Sequence, residues 1–242
     1  MNSFQYEASV DPIRFDLVEA YRGAWDHIAD TGTWLTGAQR VAVAAETRRA
    51  RNCLLCRARA EALSPFSVEG EHDHGGVLPG PMVDEIHRVT TDAGRLTEKW
   101  YRSLLDQGMN AESYVEVLGV SVIVISIDAF HMALGFPLEP LPAPRPGEPS
   151  RVRPAPIVES DAWVPVLSAR ATGSLLAIPG PAPFVLRALS LVPSEVLAWS
   201  KVSDAQYLSA PEMREFGKIR ELDRSQIELV AGRVSALNEC FY

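Results

Sequence analysis

Basic side chains are in short supply in this chain: 23 Lys and Arg stand against 31 Asp and Glu, a formal net charge of −8 over 242 residues. A surface of that sign repels a phosphate backbone, so nucleic acid is not an expected partner. The one short basic run, Arg48 to Arg59, brackets two cysteines instead. Cysteine is scarce too. Three residues, Cys53, Cys56 and Cys240, are too few and too unevenly placed to staple a secreted scaffold. The opening stretch MNSFQYEASVDPIRFD lacks a basic segment followed by an apolar one, so no secretory signal is read there. The most apolar stretch, Val117 to Ile127, falls short of the roughly 20 apolar residues that cross a bilayer. These absences predict a cytoplasmic protein with no membrane partner.

What is present is ample apolar material, 47% of residues, enough for the core of one large domain or two small ones. Apolar residues recur at helical spacing over Asp11 to Ile28, and Thr36 to Leu63 is rich in Ala and Arg up to the break at Pro65. Ser67 to Pro81 reads as a Gly-rich loop, with helices after it over Met82 to Val89 and Thr97 to Gln107. Asn110 to Ser113 supplies a capped start for a helix over Tyr114 to Leu134. Propensity alone favours a strand over Val120 to Ile127, since β-branched residues crowd there. The proline-dense stretch Leu138 to Pro156 reads as a linker, and Pro183 to Leu191, Ser194 to Trp199 and Asp223 to Glu239 as further helices, the last capped by Asp223. The expected class is all-α, with an N-terminal lobe over 1–137, a linker over 138–156 and a second lobe over 157–242.

Cys53-Leu54-Leu55-Cys56 is the one complete redox-type pair, with Arg51, Arg57 and Arg59 beside it to favour a thiolate. Two small buried helix residues are the plainer alternative. A zinc site needs four ligands, and the i, i+2 spacing of His72 and His74 in EGEHDHGG fits no common structural pattern. That segment therefore reads as a solvated loop, and no metal or organic cofactor is expected. An internal repeat appears when Cys53 is set under Cys240: LTGAQRVAVAAETRRARNC then faces LDRSQIELVAGRVSALNEC, matching Leu35 with Leu222, Gln39 with Gln226, and Val43 with Val230.

The segment IELVAGRVSALNECFY, with Glu228 twelve positions before Cys240, resembles the alkyl hydroperoxidase D / carboxymuconolactone decarboxylase superfamily. Peroxidase members of that superfamily carry Glu, eleven residues, Cys-x-x-Cys, three residues and His. The resemblance matches Glu228 to the family glutamate and Cys240 to the first cysteine; the second cysteine would follow Tyr242 directly, with the histidine four beyond. Three explanations for that gap stand open: a truncated gene, a shortened protein, and a UGA codon read in the cell as selenocysteine. The third is preferred, because the break falls where the peroxide-attacking atom belongs.

In the family, the second cysteine attacks peroxide, the first resolves the sulfenic acid, and Glu with His relays protons. The first lobe departs from the pattern, with Val41 at the glutamate position and Ala60 at the histidine position. Glu46 or Glu61 could substitute from a neighbouring face. Glu116, Asp128 and His131 form either a degenerate second copy or, more simply, the polar ends of a core helix. The resemblance implies two related helical lobes and a thiol or selenol peroxidase acting on organic hydroperoxides or hydrogen peroxide through Glu228, Cys240, Cys53 and Cys56. It further implies a thiol or dithiol reductant as partner, and self-association into a homo-oligomer. A lactone decarboxylase-like enzyme and a non-catalytic redox-sensing oligomer remain the alternatives.

Overall fold

The computed structural model describes residues 3–6, 12–158, 162–217, 220–238 and 240. It is an all-α architecture built around one buried helix. The chain forms α1 (Phe15–Ala29), α2 (Gly37–Ala50), α3 (Leu54–Glu61), α4 (Gly80–Asp92), α5 (Glu98–Asp106) and α6 (Ala111–Ala133). After the proline-dense stretch, β1 (Ile157–Val158) pairs antiparallel with β2 (Val166–Leu167), and α7 (Ala169–Leu175), α8 (Phe184–Arg187), α9 (Pro193–Gln206) and α10 (Arg224–Leu237) follow.

The helix α6 settles the competition between propensity and burial. Val117, Val120, Ile123, Val124 and Ile127 are all fully buried among Tyr21, Trp25 and Ile28 of α1, Val43 and Ala44 of α2, Val83 and Ile86 of α4, and Val202 of α9. Each such side chain contributes about 1.5–3 kcal/mol on burial, which outweighs the few tenths lost by a β-branched residue in a helix. The Asn110 side chain starts α6 by accepting from Ser113 N. By length and composition α6 is long and apolar enough to cross a membrane, which the shorter span Val117 to Ile127 did not suggest. Its place is nevertheless that of a core helix, enclosed by α1, α2, α4 and α9.

A charge network, fully buried at Arg40, Glu116 and Glu195, fastens α9 to this core. Arg40 Nη1 on α2 donates to Glu116 Oε1 on α6 at 2.6 Å and to Glu195 Oε1 on α9 at 2.7 Å, and His27 on α1 meets the same Glu195 oxygen at 3.0 Å. Burial pushes both carboxyls upward. In Glu195, Arg40 and His27 overcome that push and hold the group at about 2; in Glu116 burial wins, and its pKa is raised despite Arg40. Two glycines make room: a Cβ on Gly32 would fall 1.7 Å from Glu116 Oε1, and one on Gly119 would fall 2.7 Å from Glu195 Oε2.

The stretch expected to be a linker has no regular secondary structure, yet it is tied down as a strap. Trp25 Nε1 donates to Pro140 O at 2.9 Å, Arg145 N to Ala29 O at 2.8 Å and Arg151 N to Thr33 O at 2.8 Å. The Arg145 guanidinium binds both Asp26 and Asp30, and Arg153 Nε lies 2.8 Å from Glu112 Oε1.

Two helices expected to be longer are not. The run Thr36 to Leu63 breaks at Arg51–Cys53, where Cys53 N turns back to Ala50 O at 3.2 Å and becomes the N-cap of α3. Only Phe184–Arg187 of the segment 183–191 is helical. Conversely, α9 runs well past Trp199, to Gln206. Asp11, the expected start of the first helix, lies outside the described residues.

Candidate functional site

The break between α2 and α3 is what builds the site. By ending α2 at Ala50 and restarting at Leu54, the chain sets Cys53 at a helix N-terminus and Cys56 in the first turn of α3. Helix α4 packs against both α2 and α3 and carries Asp84 and His87, three apart and therefore on one face. The loop between α3 and α4 is exposed over residues 69–77 except at His72, whose ring turns inward. Glu46 points into the same space from α2.

The four donor atoms of Cys53, Cys56, His72 and His87 all lie within 4.8 Å of one another. His87 Nδ1 is 3.2 Å from Cys56 Sγ, and His72 Nδ1 is 3.5 Å from Cys56 Sγ and 3.7 Å from Cys53 Sγ. Both rings turn the far nitrogen to a carboxylate. His87 Nε2 meets Glu46 Oε1 at 2.9 Å, and His72 Nε2 meets Asp84 Oδ1 at 2.9 Å. The carboxylates are themselves fixed: Gly75 N donates to Glu46 Oε2 at 2.9 Å, and Trp100 Nε1 to Asp84 Oδ2 at 2.6 Å. With Nε2 serving as the donor to Glu46, a neutral His87 is left with an Nδ1 lone pair toward Cys56 Sγ, whereas His72 faces both sulfurs with its Nδ1.

The site is dry. Cys53 and Cys56 are 2% and 3% exposed, and His87 is fully buried. Burial would raise the Cys53 thiol, but the backbone N–H groups of Cys56 and Asp73, together with His72, bring it down to about 7. For His72 the penalty of burial is outweighed by Asp84 and the two sulfurs, which lift it to about 10; Asp84 in return is held at about 2 against its own burial. His87 moves the other way, lowered by burial ahead of the opposing pull of Glu46.

The expected site residues thus divide into two groups. Cys53 and Cys56 come together with acid–base groups around them. Glu228 lies on α10, 41% exposed, where it accepts from Tyr207 Oη at 2.7 Å and from Arg224 Nε at 2.9 Å. Cys240 is exposed beyond the end of α10, and neither residue joins the cluster. His72, read from the sequence as part of a solvated loop, is instead drawn inward by Asp84, while His74 stays outside with its Nδ1 accepting from Gly76 N. His87 and Asp84 went unread; their only local signal is the i, i+3 spacing on an amphipathic helix. Glu46, one of the two candidate substitutes, meets His87 Nε2 at 2.9 Å.

Glu116, Asp128 and His131 have structural partners. Besides the Arg40 network, Asp128 takes both Arg48 Nε and Nη2, at 3.0 and 2.8 Å, and His131 lies 2.7 Å from both Tyr6 Oη and Pro137 O. They serve the core helix, as the simpler reading had it. Comparison with protein-family models, curated proteins and solved structures finds no match to this chain, so the functional argument rests on the arrangement of these side chains.

Proposed function

We propose that the chain is a thiol peroxidase whose redox centre is Cys53 and Cys56, related to the alkyl hydroperoxidase D superfamily by the resemblance of its sequence. The observation that carries the reading is the continuous path from Cys56 Sγ through His87 Nδ1, 3.2 Å away, to Glu46 at the far nitrogen of the same ring. Cys56 passes its proton to His87 Nδ1, and Glu46 stabilises the imidazolium. The thiolate attacks one peroxide oxygen and the O–O bond breaks. His87 returns the proton to the leaving alkoxide, giving an alcohol and Cys56 sulfenic acid. Cys53 then attacks the sulfenic sulfur, water leaves, and a disulfide closes; a dithiol reductant restores both thiols.

The family's habit of assembling extends the reading to self-association in a cytoplasmic protein. The uncovered apolar face of α10, with Leu229, Val230, Val234 and Leu237, is the surface such contacts would cover.

The test is peroxide consumption by the full chain with dithiothreitol as reductant. Cys53→Ser and Cys56→Ser should abolish turnover, Glu46→Gln should slow it by about 10²-fold, and Cys240→Ser should leave it intact. A protein that forms the disulfide with one equivalent of peroxide but does not turn over is a redox sensor, and the enzymatic reading then fails.

A further inference from the structure

The same four donors fit a second chemistry that the sequence reading set aside. Four-coordinate zinc with two thiolates and two imidazoles has Zn–S near 2.3 Å and Zn–N near 2.0–2.1 Å, so a tetrahedron places sulfur and nitrogen about 3.6 Å apart. Three of the four sulfur–nitrogen separations are 3.2, 3.5 and 3.7 Å, and all four donor atoms lie within 4.8 Å of one another. A cation among the four atoms satisfies all of them at once.

The outer arrangement is an independent pointer. Zinc-bound histidines present one nitrogen to the metal and donate the other N–H to a carboxylate, which fixes the tautomer. Here both histidines do so, His72 with Asp84 and His87 with Glu46. Burial adds to the case, because a closed, buried shell of four protein ligands is the form of a structural zinc site. The fourth ligand comes from α4 and not from the His72/His74 pair, which is why loop spacing alone did not reveal it.

We propose that Cys53, Cys56, His72 and His87 bind one zinc-class divalent cation, and that the metal-bound form is the closed state of the dithiol. The binding claim stands on geometry alone; its regulatory consequence rests on the peroxidase reading above. Release is a balanced step: two metal-bound thiolates, one hydroperoxide and two protons give one disulfide, one alcohol, one water and a free divalent cation. The peroxide is reduced, the two sulfurs are oxidised, and the disulfide no longer holds the metal.

The experiment uses the reduced, metal-free full chain and Co²⁺ as probe. The expected result is one cobalt per chain, with the ligand-field bands of tetrahedral cobalt and a thiolate-to-cobalt charge-transfer band. Both should be lost in Cys56→Ser and His87→Ala and kept in His74→Ala and Cys240→Ser. Because a ligand variant can misfold, Asp84→Asn and Glu46→Gln supply a milder test: zinc affinity, measured by competition with a chromophoric chelator, should fall about 10–100-fold with the bands retained. No cobalt bands in the unsubstituted chain, or bands that survive His87→Ala, overturn the site. For the regulatory half, one equivalent of hydrogen peroxide added to the zinc-loaded chain should release one zinc per disulfide. Zinc that stays bound while the metal-free chain consumes peroxide overturns the closed-state claim. A metal-free chain that consumes none, beside intact cobalt bands, sinks the peroxidase reading and leaves the metal site standing.

Discussion

At the residue scale, the buried charges carry the sharpest consequences. Glu195 has a folded pKa depressed to about 2 from an ordinary value of 4.5. Its contribution to stability is therefore fully present above pH 4.5 and is lost as the pH falls toward 2. Glu116, raised by burial, has the opposite sign: it favours the folded state in acid and loses that advantage as pH rises above its ordinary range. Urea unfolding between pH 2 and 5 should accordingly show a steeper acid loss in the unsubstituted chain than in Glu195→Gln, by at most about 3 kcal/mol over the interval. At pH 7 the same variant should be destabilised by a few kcal/mol, because His27 loses its carboxylate and Arg40 loses one of two. None of this was legible in the sequence. Arg40, Glu116 and Glu195 look like surface residues until packing brings three helices together, and only the glycines at 32 and 119 mark the close approach.

At the element scale, local chemistry was readable and tertiary chemistry was not. Asn110 and Asp223 announce their helices because a cap is settled within three residues, and both caps form. The break before α3 has no such signal. No glycine or proline interrupts 38–63, and the turn is closed by Asn52 N to Arg49 O at 3.0 Å and Cys53 N to Ala50 O at 3.2 Å, with α3 then packing on α4. That break puts the cysteines at a helix N-terminus, so half the site was visible as a C-x-x-C pair while its histidines arrived from elsewhere. Thr36 with Gln39 and Asp223 with Gln226 each close a reciprocal capping box, at the starts of α2 and α10. The two boxes should behave differently when broken. Thr36→Ala, at a helix packed into the core, should cost about 1 kcal/mol of global stability in chemical denaturation, whereas Asp223→Ala should fray α10 and leave the global transition unchanged, since α10 has no buried residue. Gly119→Ala should cost more than the Thr36 cap, about 1–3 kcal/mol, because the added methyl meets both Glu195 Oε2 and Cβ inside 3 Å.

For the whole molecule, the division into two lobes and a linker is best tested by cutting. The described residues from 207 to 223 are largely loop, with Phe216 86% exposed, and they lead to a helix that rests lightly on the rest. Limited proteolysis should nick this segment first and release α10, while the remaining fragment keeps its thermal midpoint within about 2 °C. The strap at 138–156 should resist the same protease despite its lack of secondary structure, because its backbone is hydrogen-bonded to α1 and to the turn that follows it. Rapid cleavage within the strap would show that the two halves are joined more loosely than these bonds imply.

The link from Arg40 to Glu195 spans 155 residues of sequence. On a ribosome adding roughly 5–20 residues per second, Arg40 is added roughly 8–30 s before the second of its two carboxylates. During that interval α6 lacks the α9 face that seals it, and Arg40 has Glu116 alone. The nascent chain must hold its most apolar helix in waiting, partly covered, until α9 is synthesised. Until α9 is made, the open face of α6 is exposed to chaperones and to aggregation, and the core closes only after α9 has followed it.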